Sequence, residues 1–235
     1  MNFLLINSNR ESSFIAALIK GSVIVKYTSD YLNKDEKTAF LKSPDKLVHC
    51  LKYITDNIKS RGLSLFEIDA VSVIIGPGSF TGIRVGIAIA KGFADSLTKK
   101  IIPINNFELI SKQAEGKIHT QKYCILIPAK LPEFYYALFE KNLEIERGCV
   151  QLDEFSLKFD KNTTLVGNFN DDYKKNLGYF SIPCKNLGNQ ELQAMIELSK
   201  KKFLSGLIYD SGKIEPLYLK DFAFKITHSS NEQKN

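Results

Sequence analysis

Apolar and polar positions follow two different periods along this chain. Residues 3–6, 13–20 and 23–27 are short apolar runs, separated by a polar stretch at residues 7–12 and by Gly21-Ser22. Three short apolar runs joined by polar turns predict an antiparallel meander. Residues 28–43 are polar and mixed, and read as loop with some helix. The period changes at Pro44. Leu47, Leu51, Ile54 and Ile58 recur at helical spacing, Ser43 suits the N-cap, Pro44 suits the first turn and Gly62 breaks the pattern.

The most informative stretch follows. Val71 to Ile75 is an apolar, β-branched run that reads as a buried strand. It ends in Gly76-Pro77-Gly78, a tight turn. Ser79 and Thr81 both suit the cap of a helix predicted over residues 80–97. At about 100° per residue, Gly82, Gly86, Ala90 and Ala94 line one side of that helix. Ile83, Val85, Ile89, Phe93 and Leu97 flank them, and only Arg84, Lys91 and Asp95 make a polar edge. A helix apolar over most of its circumference packs against more than one neighbour. Each interior glycine lowers helix propensity by about 1 kcal/mol relative to alanine. Close approach of another backbone would offset that cost, whether from this chain or from a partner.

Beyond it, residues 101–103 read as a strand and residues 107–114 as a short helix. A second unit begins near residue 120. Residues 123–127, 134–140 and 144–149 read as strands, residues 152–159 are ambiguous, and Thr164-Leu165-Val166 runs into a turn at Gly167-Asn168. Residues 180–183 suit an edge strand, residues 189–201 a helix, and residues 216–219 a short extended segment. The order is mixed α/β. It fits one half of a ribonuclease-H-like domain followed by a smaller second lobe. The expected division is 1–115, 116–227 and a disordered polar tail at 228–235.

Composition narrows the chemistry. The 235 residues are 44% hydrophobic, enough for a large core, and the net charge of +6 permits an acidic partner without requiring one. The cysteines, Cys50, Cys124, Cys149 and Cys184, form no C-x-x-C pair, and His49, His119 and His228 are scattered. No metal site is expected, and the cysteines read as free thiols. No apolar run approaches a membrane span and no signal-peptide pattern opens the chain, so a cytoplasmic protein is expected.

No catalytic residues are expected. Glu11, Asp45, Glu67, Asp69, Glu133 and Asp210 are not grouped by any spacing, and Asn7 ends the first strand as an amide that cannot serve as a base. The Gly76-Pro77-Gly78-Ser79-Phe80-Thr81-Gly82 turn lacks the Lys-Ser or Lys-Thr that closes a phosphate loop, and Thr81 stands where a dinucleotide fingerprint needs its third glycine. It therefore reads as a structural turn, with Gly76, Pro77, Gly78, Ser79 and Thr81 as its motif residues. Tyr135, Tyr136 and Phe139 read as a half-buried strand, more simply than as a base-stacking platform.

The stretch from Gly76 to Gly86 resembles the bacterial TsaB (YeaZ) family of tRNA threonylcarbamoyladenosine synthesis. Leu4-Leu5-Ile6-Asn7-Ser8 resembles its opening strand, and Leu165-Val166-Gly167-Asn168 and Glu215-Pro216-Leu217-Tyr218-Leu219-Lys220 resemble later landmarks. Three departures mark a divergent member. Asn7 replaces the usual Asp, Ser43-Pro44-Asp45 replaces a His-Ser-Glu-like triplet, and Pro128-Ala129-Lys130 replaces Asp-Ala-Arg, although Glu133 and Tyr135 keep their places.

The resemblance implies an ASKHA fold of two ribonuclease-H-like lobes and a non-catalytic role. Such proteins heterodimerise with the threonylcarbamoyl transferase TsaD, and the ATPase TsaE joins the assembly. The transferase moves threonylcarbamoyl from its adenylate to N6 of adenosine 37 in tRNAs reading codons that begin with A. ATP, Mg²⁺ and threonylcarbamoyl-adenylate then belong to the partners, and tRNA is met through the complex. The implied interface uses the two main helices of the first lobe, here with Leu47, Leu51, Gly82, Ile83, Gly86, Ile87 and Ala90. On that expectation Gly86→Leu abolishes partner binding and leaves the chain folded, and an unoccupied helix pair favours a homodimer. The competing classes are an ATP-binding ASKHA enzyme acting alone, which Asn7 disfavours, and a tRNA-binding module.

Overall fold

A computed structural model of the chain describes residues 1–8, 14–28, 43–129, 132–151, 154, 158–159, 163–167, 181–183 and 188–219. Residues 24–28, 43–51, 181–183 and 188–189 are described by backbone alone. The described strands form two five-stranded sheets of one topology.

In the first sheet, β1 (Phe3–Asn7), β2 (Phe14–Ile19) and β3 (Ser22–Thr28) form the expected meander. β4 (Ala70–Ile74) runs parallel to β1, and β5 (Lys100–Ile104) runs parallel to β4. The spatial order is β3-β2-β1-β4-β5. Side chains alternate across the pleat. Leu4 and Ile6 enter one core with Val71, Val73 and Ile101, while Phe3 and Leu5 enter the other with Ala70, Ile102 and Ile104. Both faces are apolar, so both must be covered.

Two helices cover the first face. α1 (Ser43–Ser60) contributes Ile54 and Ile58, and ends before Gly62, whose φ is +67°. α2 (Phe80–Leu97) contributes Ile83, Ile87, Ala90 and Ala94. Ser79 caps α2 by accepting the Gly82 N–H at 3.3 Å, whereas Thr81 is an exposed residue of the first turn. The second face is covered by α3 (Asn106–Ala114) and α4 (Gly188–Leu204), through Leu109 and through Ala194, Met195 and Ile196.

The second sheet repeats the plan. β6 (Lys122–Pro128), β7 (Glu133–Glu140) and β8 (Leu143–Gln151) are an antiparallel meander, β9 (Thr164–Gly167) runs parallel to β6, and β10 (Ser181–Pro183) runs parallel to β9 at the edge. The order β10-β9-β6-β7-β8 is the first sheet's order again. Two such units make the two-lobed ASKHA fold. Phe107 of α3 packs with Tyr123, Ile125 and Val166, so α3 touches both lobes.

Two features differ from the expectations. Residues 116–227 do not form one contiguous lobe. α4 returns to the first sheet, Tyr209 pairs with Ile101, and Ile214 enters the first core. An amphipathic helix must bury its apolar face, but its pattern does not say against which sheet. The second difference concerns the polar stretch read at residues 7–12. Its first residue, Asn7, is the last residue of β1, as its reading as the strand end expected, and is paired with Phe14 and 2% exposed. The calls on residues 29–42, on most of 152–160 and on the tail at 228–235 lie outside the described residues.

Candidate functional site

The carboxyl ends of β1 and β4 meet the Gly76-Pro77-Gly78 turn. The Gly76–Pro77 peptide is cis. Gly76 has φ +103°, which favours glycine, and a Cβ there would lie 2.9 Å from Ile83 Cδ1 and 3.4 Å from the Leu217 carbonyl oxygen. Asn106 holds the turn from the next helix. Its backbone N–H donates to the Gly76 carbonyl at 2.8 Å and its side-chain amide donates to the Pro77 carbonyl at 2.6 Å. Nothing local marked Asn106 or Leu217 as partners of this turn, because both contacts are tertiary.

Gly82 and Gly86 of α2 face the end of this chain's own β1 strand. A Cβ on Gly82 would sit 2.3 Å from the Ser8 carbonyl oxygen, and one on Gly86 would sit 2.1 Å from Ser8 Oγ. The close backbone neighbour is therefore Ser8, just beyond β1. Ile83, Ile87 and Ala90 are buried on the same side, at 4%, 5% and 0% exposure. These residues face this chain's own first sheet. The side chains of Leu47 and Leu51 lie outside the described residues. Gly86→Leu would drive a side chain into Ser8, so the expectation that it spares the fold is corrected.

The exposed side of α2 is a different stripe, made by Phe80, Thr81, Arg84, Val85, Ala88, Gly92, Asp95 and Ser96. Phe80 and Val85 are exposed apolar side chains. Tyr53 of α1, on the same face of the sheet, is also exposed. At the start of α2 the Ser79 hydroxyl takes up the Gly82 N–H, and the Ser8 carbonyl lies beside Gly82.

Between the turn and the second lobe lies a cavity of about 40 Å³, lined by Pro77, Phe80, Ile83, Tyr135, Leu217 and Tyr218, among others. Tyr135 is half-buried there, while Tyr136 and Phe139, on opposite faces, are both buried; the segment is a strand as expected, but it is buried on both faces rather than half-buried.

Ionisable groups with shifted behaviour sit elsewhere. The Tyr136 hydroxyl and Lys158 hold the Glu146 carboxyl below its usual range, and burial pushes the Cys124 thiol far up, leaving it unreactive. Asp210 pairs with Lys100, and Asp69 meets the amino terminus, so these carboxylates serve structural contacts. Among the described residues, no group of three or more His, Cys, Asp or Glu gathers to hold a metal. No described helix is long and apolar enough to cross a membrane.

Comparison with known proteins adds four findings. A family model described as "TsaD: tRNA N6-adenosine threonylcarbamoyltransferase" matches residues 44–228. The chain is 27% identical over 190 residues to the tRNA threonylcarbamoyladenosine biosynthesis protein TsaB of Haemophilus influenzae, covering 73% of this chain and 78% of that one. It is 32% identical over 92 residues to TsaB of Escherichia coli, a stretch that spans 39% of this chain and only 40% of the relative. The structure of YeaZ from Pseudomonas aeruginosa superposes with a TM-score of 0.69 at 16% identity, covering 93% of this chain and 99% of that one, a likeness of fold.

Proposed function

The chain belongs to the family of that model, in its TsaB (YeaZ) group, and from that membership we propose that it acts in forming N6-threonylcarbamoyladenosine on tRNA as a non-catalytic subunit docked on a TsaD-like transferase. In this reading ATP, Mg²⁺ and threonylcarbamoyl-adenylate are bound by the partners, a TsaE-like ATPase joins the assembly, and tRNA at position 37 is met through the complex. The work is done in the cytoplasm.

The observation that carries the reading is the family match over residues 44–228 together with the likeness to TsaB of Haemophilus influenzae. The cavity beside the glycine turn, with Leu217 and Tyr218 in its wall, is about 40 Å³, below the about 300–1,000 Å³ of small-molecule sites; a larger one of about 430 Å³, lined by Lys112, Tyr123, Phe139 and Glu197 among others, opens elsewhere. Asn7 supplies an amide at the end of β1, not a carboxylate for Mg²⁺.

The proposed contact surface is the exposed stripe of α2, centred on Val85 and Ala88, together with the exposed part of α1. The half-buried Gly82 and the buried Ile83, Gly86, Ile87 and Ala90 shape that surface from behind. The same stripe would support self-association when no partner is present. Calorimetry separates this from an enzyme acting alone. The isolated chain should show no ATP turnover and should bind the transferase of its own organism. Micromolar Mg-ATP binding with turnover by the isolated chain would overturn the reading.

A further inference from the structure

The segment after Ile214 crosses from one lobe to the other within six residues. Ile214 is 3% exposed in the first core. The Leu217 N–H donates to the Ile75 carbonyl at 2.7 Å, which fastens the segment to the end of β4. Leu219 packs against the second-lobe core of Tyr123, Ile125 and Val166. Between these two anchors stands Tyr218, 45% exposed.

Tyr218 is tied to α2. Arg84 Nε donates to its hydroxyl at 2.8 Å. The same guanidinium lies 3.7 Å from the centre of the Phe80 ring, and the Phe80 and Tyr218 rings are 6.1 Å apart. A planar guanidinium can hydrogen-bond along its edge while stacking through its face, and Arg84 does both here. Two stretches singled out in the sequence, the glycine-rich motif and the Pro216-Leu217-Tyr218-Leu219 segment, are thereby joined by side chains.

We propose that Arg84 and Tyr218 form a latch that holds the crossing segment on α2 and so fixes the second lobe relative to that helix. The latch stands independently of which partner, if any, docks on α2. Arg84 is a positioning residue in this role. Its guanidinium fills the gap between a helix of one lobe and a strap whose far end belongs to the other. Because Phe80 and Arg84 also lie on the exposed stripe, a protein seated there acts on the lobe junction as well.

The test is amide exchange measured residue by residue in the full chain. Tyr218→Phe keeps the ring and loses the hydroxyl, and Arg84→Gln loses the guanidinium. Losing a hydrogen bond to a charged group should speed exchange of the Leu217 amide about tenfold or more. The Tyr209 amide, which bonds the Ile101 carbonyl at 2.9 Å on the first-lobe side of the segment, should not change. The double variant should exchange no faster than Arg84→Gln alone. Lys91→Gln, on the same helix outside the latch, should have no effect. Unchanged exchange at Leu217, equal acceleration at Leu217 and Tyr209, or independent effects that multiply in the double variant would each overturn the latch.

Discussion

Ser8 occupies the space that a side chain on Gly86 would need. A Cβ there would lie 2.1 Å from its Oγ and 3.0 Å from its Cβ. Overpacking of this kind costs about 1–3 kcal/mol, against a gain of about 1 kcal/mol in helix propensity from replacing glycine with alanine. Gly86→Ala should therefore lower the urea midpoint. In a Ser8→Gly background the clash disappears, and the same substitution should cost less or stabilise.

Gly82 and Gly92 should answer differently. At Gly82 the obstacle is the Ser8 carbonyl oxygen, 2.3 Å from a Cβ, and no side-chain change at position 8 removes it. Gly82→Ala should destabilise in both backgrounds. A Cβ at Gly92 would meet nothing within 4 Å, so Gly92→Ala should raise stability by up to about 1 kcal/mol. Thermal unfolding of the three alanine variants checks the set.

Asn106 is 2% exposed and bonds the Pro77 carbonyl through its side chain. Asn106→Ala leaves that carbonyl without its donor and should cost about 1–3 kcal/mol in denaturant unfolding. Asn106→Asp removes the donor and adds a charge, and should be worse.

Glu146 predicts an acid-side weakening. Its carboxyl is held low chiefly by the Tyr136 hydroxyl at 2.5 Å, then by Lys158 at 3.0 Å. A carboxyl with a lowered folded pKa adds stability above its ordinary value, which is lost as pH falls through the folded one. The unfolding midpoint should therefore decline from about pH 5 toward pH 3. Glu146→Gln should decline less steeply. Glu146 and Lys158 are both at least about a third exposed, so screening limits the contribution to about 0.5 kcal/mol.

The elements were more legible than their placement. Helix α2 begins and ends where Ser79 and the loss of apolar spacing said it would, and the apolar run at residues 3–6 announced a strand. The direction of the Gly82–Gly86 side was not legible. A stripe of small residues looks the same whether the approaching backbone is a partner helix or Ser8 of the same chain. The destination of α4 was hidden for a similar reason, since its spacing marks an apolar face without marking its sheet. Arg84 stood out as a polar edge residue, but its pairing with Tyr218 depends on a crossover between lobes that no local pattern encodes.

The direct test of the central claim is reconstituted threonylcarbamoylation of tRNA with the transferase, its ATPase partner and this chain. Modification should require the chain. Ala88→Arg, on the exposed stripe of α2, should weaken transferase binding more than a hundredfold in calorimetry, about 2.7 kcal/mol or more, and abolish modification while leaving the unfolding midpoint unchanged. Full modification without the chain, or undiminished binding and modification by Ala88→Arg, would contradict the account.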